Sequence, residues 1–124
     1  MKLSPHFDSK EFECRCCGAL PAGGMDPALI VLLEDIRANF APCAVTITSG
    51  YRCADHNKKV GGAKSSQHMD GTAADIRVFR DGTPIPPAKV ADYVEKLHPD
   101  KYGVGRYKGW THVDTRVRPA RWSS

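Results

Sequence analysis

Two imidazoles and one carboxylate, His68, Asp75 and His112, are the side chains in this sequence best suited to chemistry. Three such ligands leave the fourth position of tetrahedral zinc open for water. An ion held in this way lowers the pKa of its water to about 7 and polarises a carbonyl, so the reaction implied is hydrolysis. A His and an Asp seven positions apart would arise by chance in a chain with five histidines. The setting makes the pair specific: Ser66-Gln-His-Met-Asp-Gly-Thr-Ala-Ala-Asp75 is followed far downstream by Trp110-Thr-His-Val-Asp114. One zinc per chain is expected, and His6, His56 and His98 are not expected to be ligands.

These residues need elements to hold them. Asp26-Pro27 supplies an N-cap followed by proline at the first helical position. Leu29, Leu32, Leu33, Ile36 and Phe40 then repeat at three-and-four spacing, which predicts a helix to about Asn39 packed on a sheet. Val45-Thr-Ile-Thr48 alternates as a strand does and delivers Tyr51 and Arg52 to a loop that runs to Ser66. Residues 73–78 read as a strand with Asp75 and Arg77 on one face and Ala74, Ile76 and Val78 on the other. After a turn at Asp81-Gly82, Val90, Tyr93, Val94 and Leu97 mark a second amphipathic helix behind Pro86-Pro87. Residues 103–107 and 111–115 read as a hairpin around Lys108-Gly109. The expected fold class is α+β, a small mainly antiparallel sheet with two packed helices and one mononuclear zinc site on the opposite surface. Residues 1–124 are expected to form a single domain, with residues 1–24 as a cysteine-containing lead-in.

Strand geometry adds Asp114. Side chains two apart in a strand share a face, so Asp114 should lie beside His112. Two roles are open to it: general base toward the metal's water, or an acceptor that orients His112. Ser66 either hydrogen-bonds substrate or supports His68, and support is favoured because hydroxyls in such loops commonly serve the backbone. Gly50 and Gly71 are read as turn or close-approach glycines.

The pattern Ser-x-His-x-x-Gly-x-Ala-x-Asp with a later His resembles the zinc D-alanyl-D-alanine carboxypeptidases and VanX-like dipeptidases, and also the hedgehog signalling-domain fold. The likeness extends through Phe12-Glu-Cys-Arg-Cys-Cys-Gly18, Thr48-Ser-Gly-Tyr-Arg-Cys53, His56-Asn57, Gly61-Gly62 and Gly103-Val-Gly-Arg-Tyr107. It is strongest toward small single-domain enzymes of phage and prophage lysis regions and periplasmic cell-wall peptidases. The resemblance implies zinc on His68, Asp75 and His112, with Arg52 beside the metal engaging substrate. It also implies a glutamate base three residues before the last ligand, where this chain has Gly109.

Composition fits this reading and narrows it. A chain of 124 residues and 13.6 kDa holds a modest core and no second catalytic module. The net charge of +4 favours anionic polymers such as cell wall. Lys58-Lys59 and Arg116-Val-Arg118 are scattered and lack an aromatic-basic stripe, so no nucleic-acid partner is expected. No apolar run suits a membrane span, and Met1-Lys-Leu-Ser-Pro-His6 lacks a signal-peptide core. The expectation is a monomer made in the cytoplasm that reaches the wall through a holin pore or aboard a virion. Cysteines 14, 16, 17, 43 and 53 are many for such a chain. They read as reduced thiols or disulfides in preference to a second metal site, because C-x-C-C departs from the usual paired-cysteine spacing.

The expected function is zinc-dependent hydrolysis of peptide bonds in peptidoglycan stem peptides or cross-links, by a carboxypeptidase or an endolysin-type endopeptidase. In it Asp114 is the proton acceptor, and Arg52 pairs with a substrate carboxylate or steadies the oxyanion. The alternative is a catalytically inactive zinc-containing module that binds cell wall or builds a virion. A cysteine-based redox protein would leave the Ser66–Asp75 pattern unexplained.

Overall fold

In the computed structural model, which describes residues 1–124, the polypeptide begins with a small ribbon. Strands β1 (Lys2–Ser4) and β2 (Phe7–Asp8) pair antiparallel. A single 3-10 turn (Ser9–Phe12) follows, closed by a capping box between Asp8 and Glu11. Helix α1 (Pro27–Phe40) starts where Asp26 accepts a hydrogen bond from the Ala28 N–H and Pro27 occupies the first turn. It buries Leu29, Leu32, Leu33 and Ile36.

The main sheet contains β3 (Ala44–Ser49), β4 (Ala73–Arg80), β6 (Gly103–Arg106), β7 (Thr111–Asp114) and β8 (Ala120–Ser123), in the order β3-β4-β7-β6-β8. A two-residue strand β5 (Thr83–Pro84) folds back on β4 through Asp81 and Gly82, both with positive φ. All pairings are antiparallel except β6 with β8. Helix α3 (Pro87–Leu97) packs beside α1 against the sheet. Ala74, Ile76 and Val78 of β4, with Val104 and Val113, face these helices and complete the core.

Three features differ from the sequence reading. The 53–66 loop contains a short helix α2 (Ala54–Lys59), so there are three helices. Its sequence, Ala-Asp-His-Asn-Lys-Lys, has no apolar stripe to betray it. Strand β8 is an addition at the sheet edge, since Ala-Arg-Trp-Ser shows no alternation of apolar residues. At the end of α3, Leu97 stays exposed while Ala91 joins Val90 and Val94 in the core. No helix is long and apolar enough to cross a membrane.

Candidate metal centre

The centre lies on the face of the sheet turned away from α1 and α3. Asp75 on β4 and His112 on β7 are direct partners across the antiparallel ladder, which brings their side chains together on that face. His68 arrives from a 3-10 turn (Gln67–Asp70) whose start is capped by Ser66, its Oγ accepting from the His68 N–H at 3.2 Å. Gly71 ends the turn in the left-handed conformation, at φ 74°, and returns the chain to β4.

The three side chains present His68 Nε2, Asp75 Oδ1 and His112 Nδ1 to one point. His68 Nε2 stands 3.2 Å and His112 Nδ1 2.9 Å from Asp75 Oδ1. All three residues are buried, and their ligand atoms lie within 4.8 Å of one another. The far side of each ring fixes its tautomer. His68 Nδ1 lies 2.7 Å from the Gly50 carbonyl, which can only accept, so Nδ1 carries the proton and Nε2 the lone pair. His112 Nε2 donates in the same way to Asp114 Oδ2 at 2.7 Å, leaving its lone pair on Nδ1. Two lone pairs therefore converge on one carboxylate oxygen, an arrangement that a bound cation satisfies. The residues fit a divalent metal that takes imidazole nitrogen and carboxylate oxygen.

Electrostatics agree with the geometry. Burial opposes ionisation of Asp75, but the His112 and His68 imidazoles, which donate to it when no cation is bound and the facing nitrogens are protonated, outweigh burial and hold its carboxyl well below the usual carboxylate range. Asp114 shows the same balance, with His112 and Arg116 outweighing burial. For His112, burial disfavours the charged form, yet the carboxylates of Asp114 and Asp75 on either side of the ring favour a second proton and raise its pKa.

Arg52 reaches the centre from the end of β3. Its Nη2 donates to Asp75 Oδ2 at 3.2 Å, its Nε to Ser49 Oγ and its Nη1 to the buried Asn57. Asp114 lies behind His112 with no exposed surface. Its Oδ1 accepts from the Arg116 N–H and Nε, and its Oδ2 accepts from Arg116 Nη2 at 2.7 Å as well as from His112. Gly103 on β6 sits directly opposite Asp114, and a Cβ there would overlap the carboxylate. Gly103→Ala is expected to displace Asp114, cost about 1–3 kcal/mol of stability and weaken metal binding. Thermal melts and metal titration of that variant check both effects.

Above the three ligands opens a cleft of about 370 Å³ whose walls include Arg52, Ser66, Tyr107, Trp110, Arg116 and Trp122. Tyr107 and Trp110 stack with ring centroids 4.6 Å apart. Trp122 donates from Nε1 to Tyr107 Oη at 2.9 Å and lies under the Arg116 guanidinium. Trp122 is absent from the sequence reading, which gives Arg116 only as a scattered charge and Tyr107 only as the end of Gly103-Val-Gly-Arg-Tyr107. Extending the two-residue strand period past Asp114 would have flagged Arg116, whereas Trp122 is brought in by the unanticipated β8. Gly109, in the turn between β6 and β7, has open space around its Cα. Asp75 is the one acidic residue of the cleft wall.

Comparison with known proteins agrees with this arrangement. A search of curated proteins found no match. The family model described as Peptidase M15 matches residues 5–114, a span that includes the metal ligands, Arg52 and Asp114. With nearly the whole polypeptide covered by that match and a His/Asp/His cluster at its centre, the chain belongs to the Peptidase M15 family of metallopeptidases.

Proposed function

We propose that this protein is a zinc peptidase that hydrolyses peptide bonds of peptidoglycan stem peptides or cross-links. The observation that carries the reading is the pair of imidazoles with locked tautomers aimed, with Asp75, at one point on the floor of an arginine- and aromatic-lined cleft. When bound, zinc polarises the scissile carbonyl and activates water. The chain's own residues supply the rest. Asp75 is held in its ligating orientation by Arg52. A guanidinium has five N–H donors, of which three are engaged by Asp75, Ser49 and Asn57, so two remain for a carboxylate or oxyanion of the substrate.

Asp114 fixes His112 and is itself fixed by Arg116. Its burial behind the ring supports orientation over proton acceptance from the cleft. Ser66 braces His68 through the turn cap. Tyr107, Trp110 and Trp122 offer an apolar wall to the small side chains of a stem peptide, and Tyr107, accepting from Trp122, keeps its own proton for a ligand.

Arg52→Lys keeps the charge and loses the planar fork that spans Asp75, Ser49 and Asn57. Turnover is expected to fall by about tenfold or more while the metal stays bound, as read from steady-state rates alongside metal content. Unchanged turnover would remove Arg52 from the reaction.

One observation favours a second reading, a zinc-containing cell-wall-binding or virion module without turnover. The cleft has no carboxylate beyond Asp75, and Gly109 stands where the resemblance implies a glutamate. Defined stem peptides and cross-linked dimers, incubated with the protein and analysed by mass spectrometry, separate the readings. New termini establish the peptidase and locate its bond, whether terminal or internal. Binding of the same peptides without cleavage establishes the module.

A further inference from the structure

We propose that the chain carries a second metal site, a structural zinc held by Cys14, Cys16, Cys17 and Cys53. It goes beyond the peptidase reading and does not depend on it. The four thiols come from two distant stretches, the turn after the first 3-10 helix and the start of α2, yet their sulfurs lie within 4.8 Å of one another. Cys14 Sγ is 3.6 Å from Cys16 Sγ and 3.7 Å from Cys53 Sγ, and Cys16 Sγ is 3.4 Å from Cys53 Sγ. Zinc–thiolate bonds of about 2.3 Å in a tetrahedron put sulfurs about 3.8 Å apart. Three of the thiols thus already form a triangle close to one face of that tetrahedron, and Cys17 supplies the apex. Sulfurs in a disulfide stand about 2 Å apart, well inside every spacing seen here.

The backbone around the cluster suits thiolates. The Cys53 N–H points at Cys14 Sγ at 3.5 Å and the His56 N–H at Cys53 Sγ at 3.4 Å. The knuckle itself is closed by Gly18 N–H donating to the Cys14 carbonyl, with Gly18 in the left-handed region at φ 72°. The remaining cysteine, Cys43, lies elsewhere and bonds the Arg37 carbonyl. An all-sulfur tetrahedral set with one ligand buried and no vacant side for substrate suits a closed, structural zinc.

The site has a clear task. Between β3 and Cys53 run Gly50, whose carbonyl holds His68, and Arg52, which holds Asp75. The lead-in grips the same stretch: Tyr51 N–H bonds the Phe12 carbonyl, and a Cβ on Gly50 would come within 2.6 Å of Phe12 Cα. A metal joining Cys14, Cys16 and Cys17 to Cys53 pins this stretch from its far end. It thereby acts as a positioning device for the peptidase centre.

Protein expressed with zinc and purified under reducing conditions is expected to contain about two zinc ions per chain. A His68→Ala/His112→Ala variant should keep about one, and a Cys14→Ser/Cys53→Ser variant should also keep about one, lost from the other site. Because the cysteine variant can fail to fold, two measurements leave all five cysteines in place. Cobalt added in place of zinc should give a sulfur-to-metal charge-transfer band that the double-histidine variant retains. A thiol reagent should find Cys43 alone before a strong chelator is added and all five cysteines afterwards. About one zinc per chain in the intact protein, no sulfur band with cobalt, or four cysteines freely reactive or disulfide-linked in the reduced, zinc-supplemented protein would overturn the site.

Discussion

Replacing His112 with alanine is expected to abolish peptide hydrolysis and empty the catalytic centre, leaving the fold in place. The imidazole contributes one of three ligand atoms and faces Asp75 Oδ1 at 2.9 Å. Without it the remaining pair, His68 and Asp75, is two-coordinate, and Asp114 is left buried beside Arg116 with its acceptor for His112 unused. Metal-site chemistry of this kind depends on ligand number and geometry, so turnover should drop to background, at least about a thousandfold. His68→Ala should behave alike, because its Nε2 is the ligand opposite. Metal analysis and rate measurement on the purified variants check the expectation. Full turnover with equally tight zinc in either variant would show that the ion sits elsewhere.

Asp114→Asn tests how His112 is held. In the native arrangement the carboxylate accepts from His112 Nε2 and, through both oxygens, from Arg116, so the imidazole is held with Nδ1 free for the metal. An asparagine keeps the size and removes the charge. Its amide nitrogen, if turned toward His112, would present a donor to a donor and favour the opposite tautomer. Loss of such an outer partner costs about 10- to 100-fold in metal affinity or activity. The expected signature is a fall in zinc affinity of that size, with activity largely recovered at saturating zinc. A fall of about 10²- to 10⁴-fold in turnover with zinc affinity intact would instead make Asp114 the proton acceptor.

Much of this site was legible because strands impose simple rules. The period of two placed Asp75 away from Ala74, Ile76 and Val78, and placed Asp114 with His112; the ladder pairing Asp75 with His112 then follows once β4 and β7 are neighbours. The α1 cap at Asp26-Pro27 and the hairpin around Lys108-Gly109 rest on equally local chemistry. What sequence rules could not supply was contact between distant segments. Cys53 meets Cys14 across 39 positions, and spacing within C-x-C-C says nothing of a fourth thiol from another loop. Trp122 reaches the cleft only through the parallel pairing of β8 with β6, a non-local event with no alternation to announce it. Asp114 illustrates the same boundary: its proximity to His112 follows from strand geometry, while its burial depends on Arg116 and on the bare backbone of Gly103.

The central claim, metal-dependent cleavage of cell-wall peptides at the His68–Asp75–His112 centre, is tested most directly on purified peptidoglycan. The zinc-loaded protein, the same protein stripped by a chelator, and the stripped protein resupplied with zinc are incubated with it, and the soluble products are identified by mass spectrometry. The account predicts new peptide termini with the loaded and resupplied protein and none with the stripped protein. Peptidoglycan of several chemotypes left uncut by fully zinc-loaded protein, or cut equally well after the metal is removed, would contradict it.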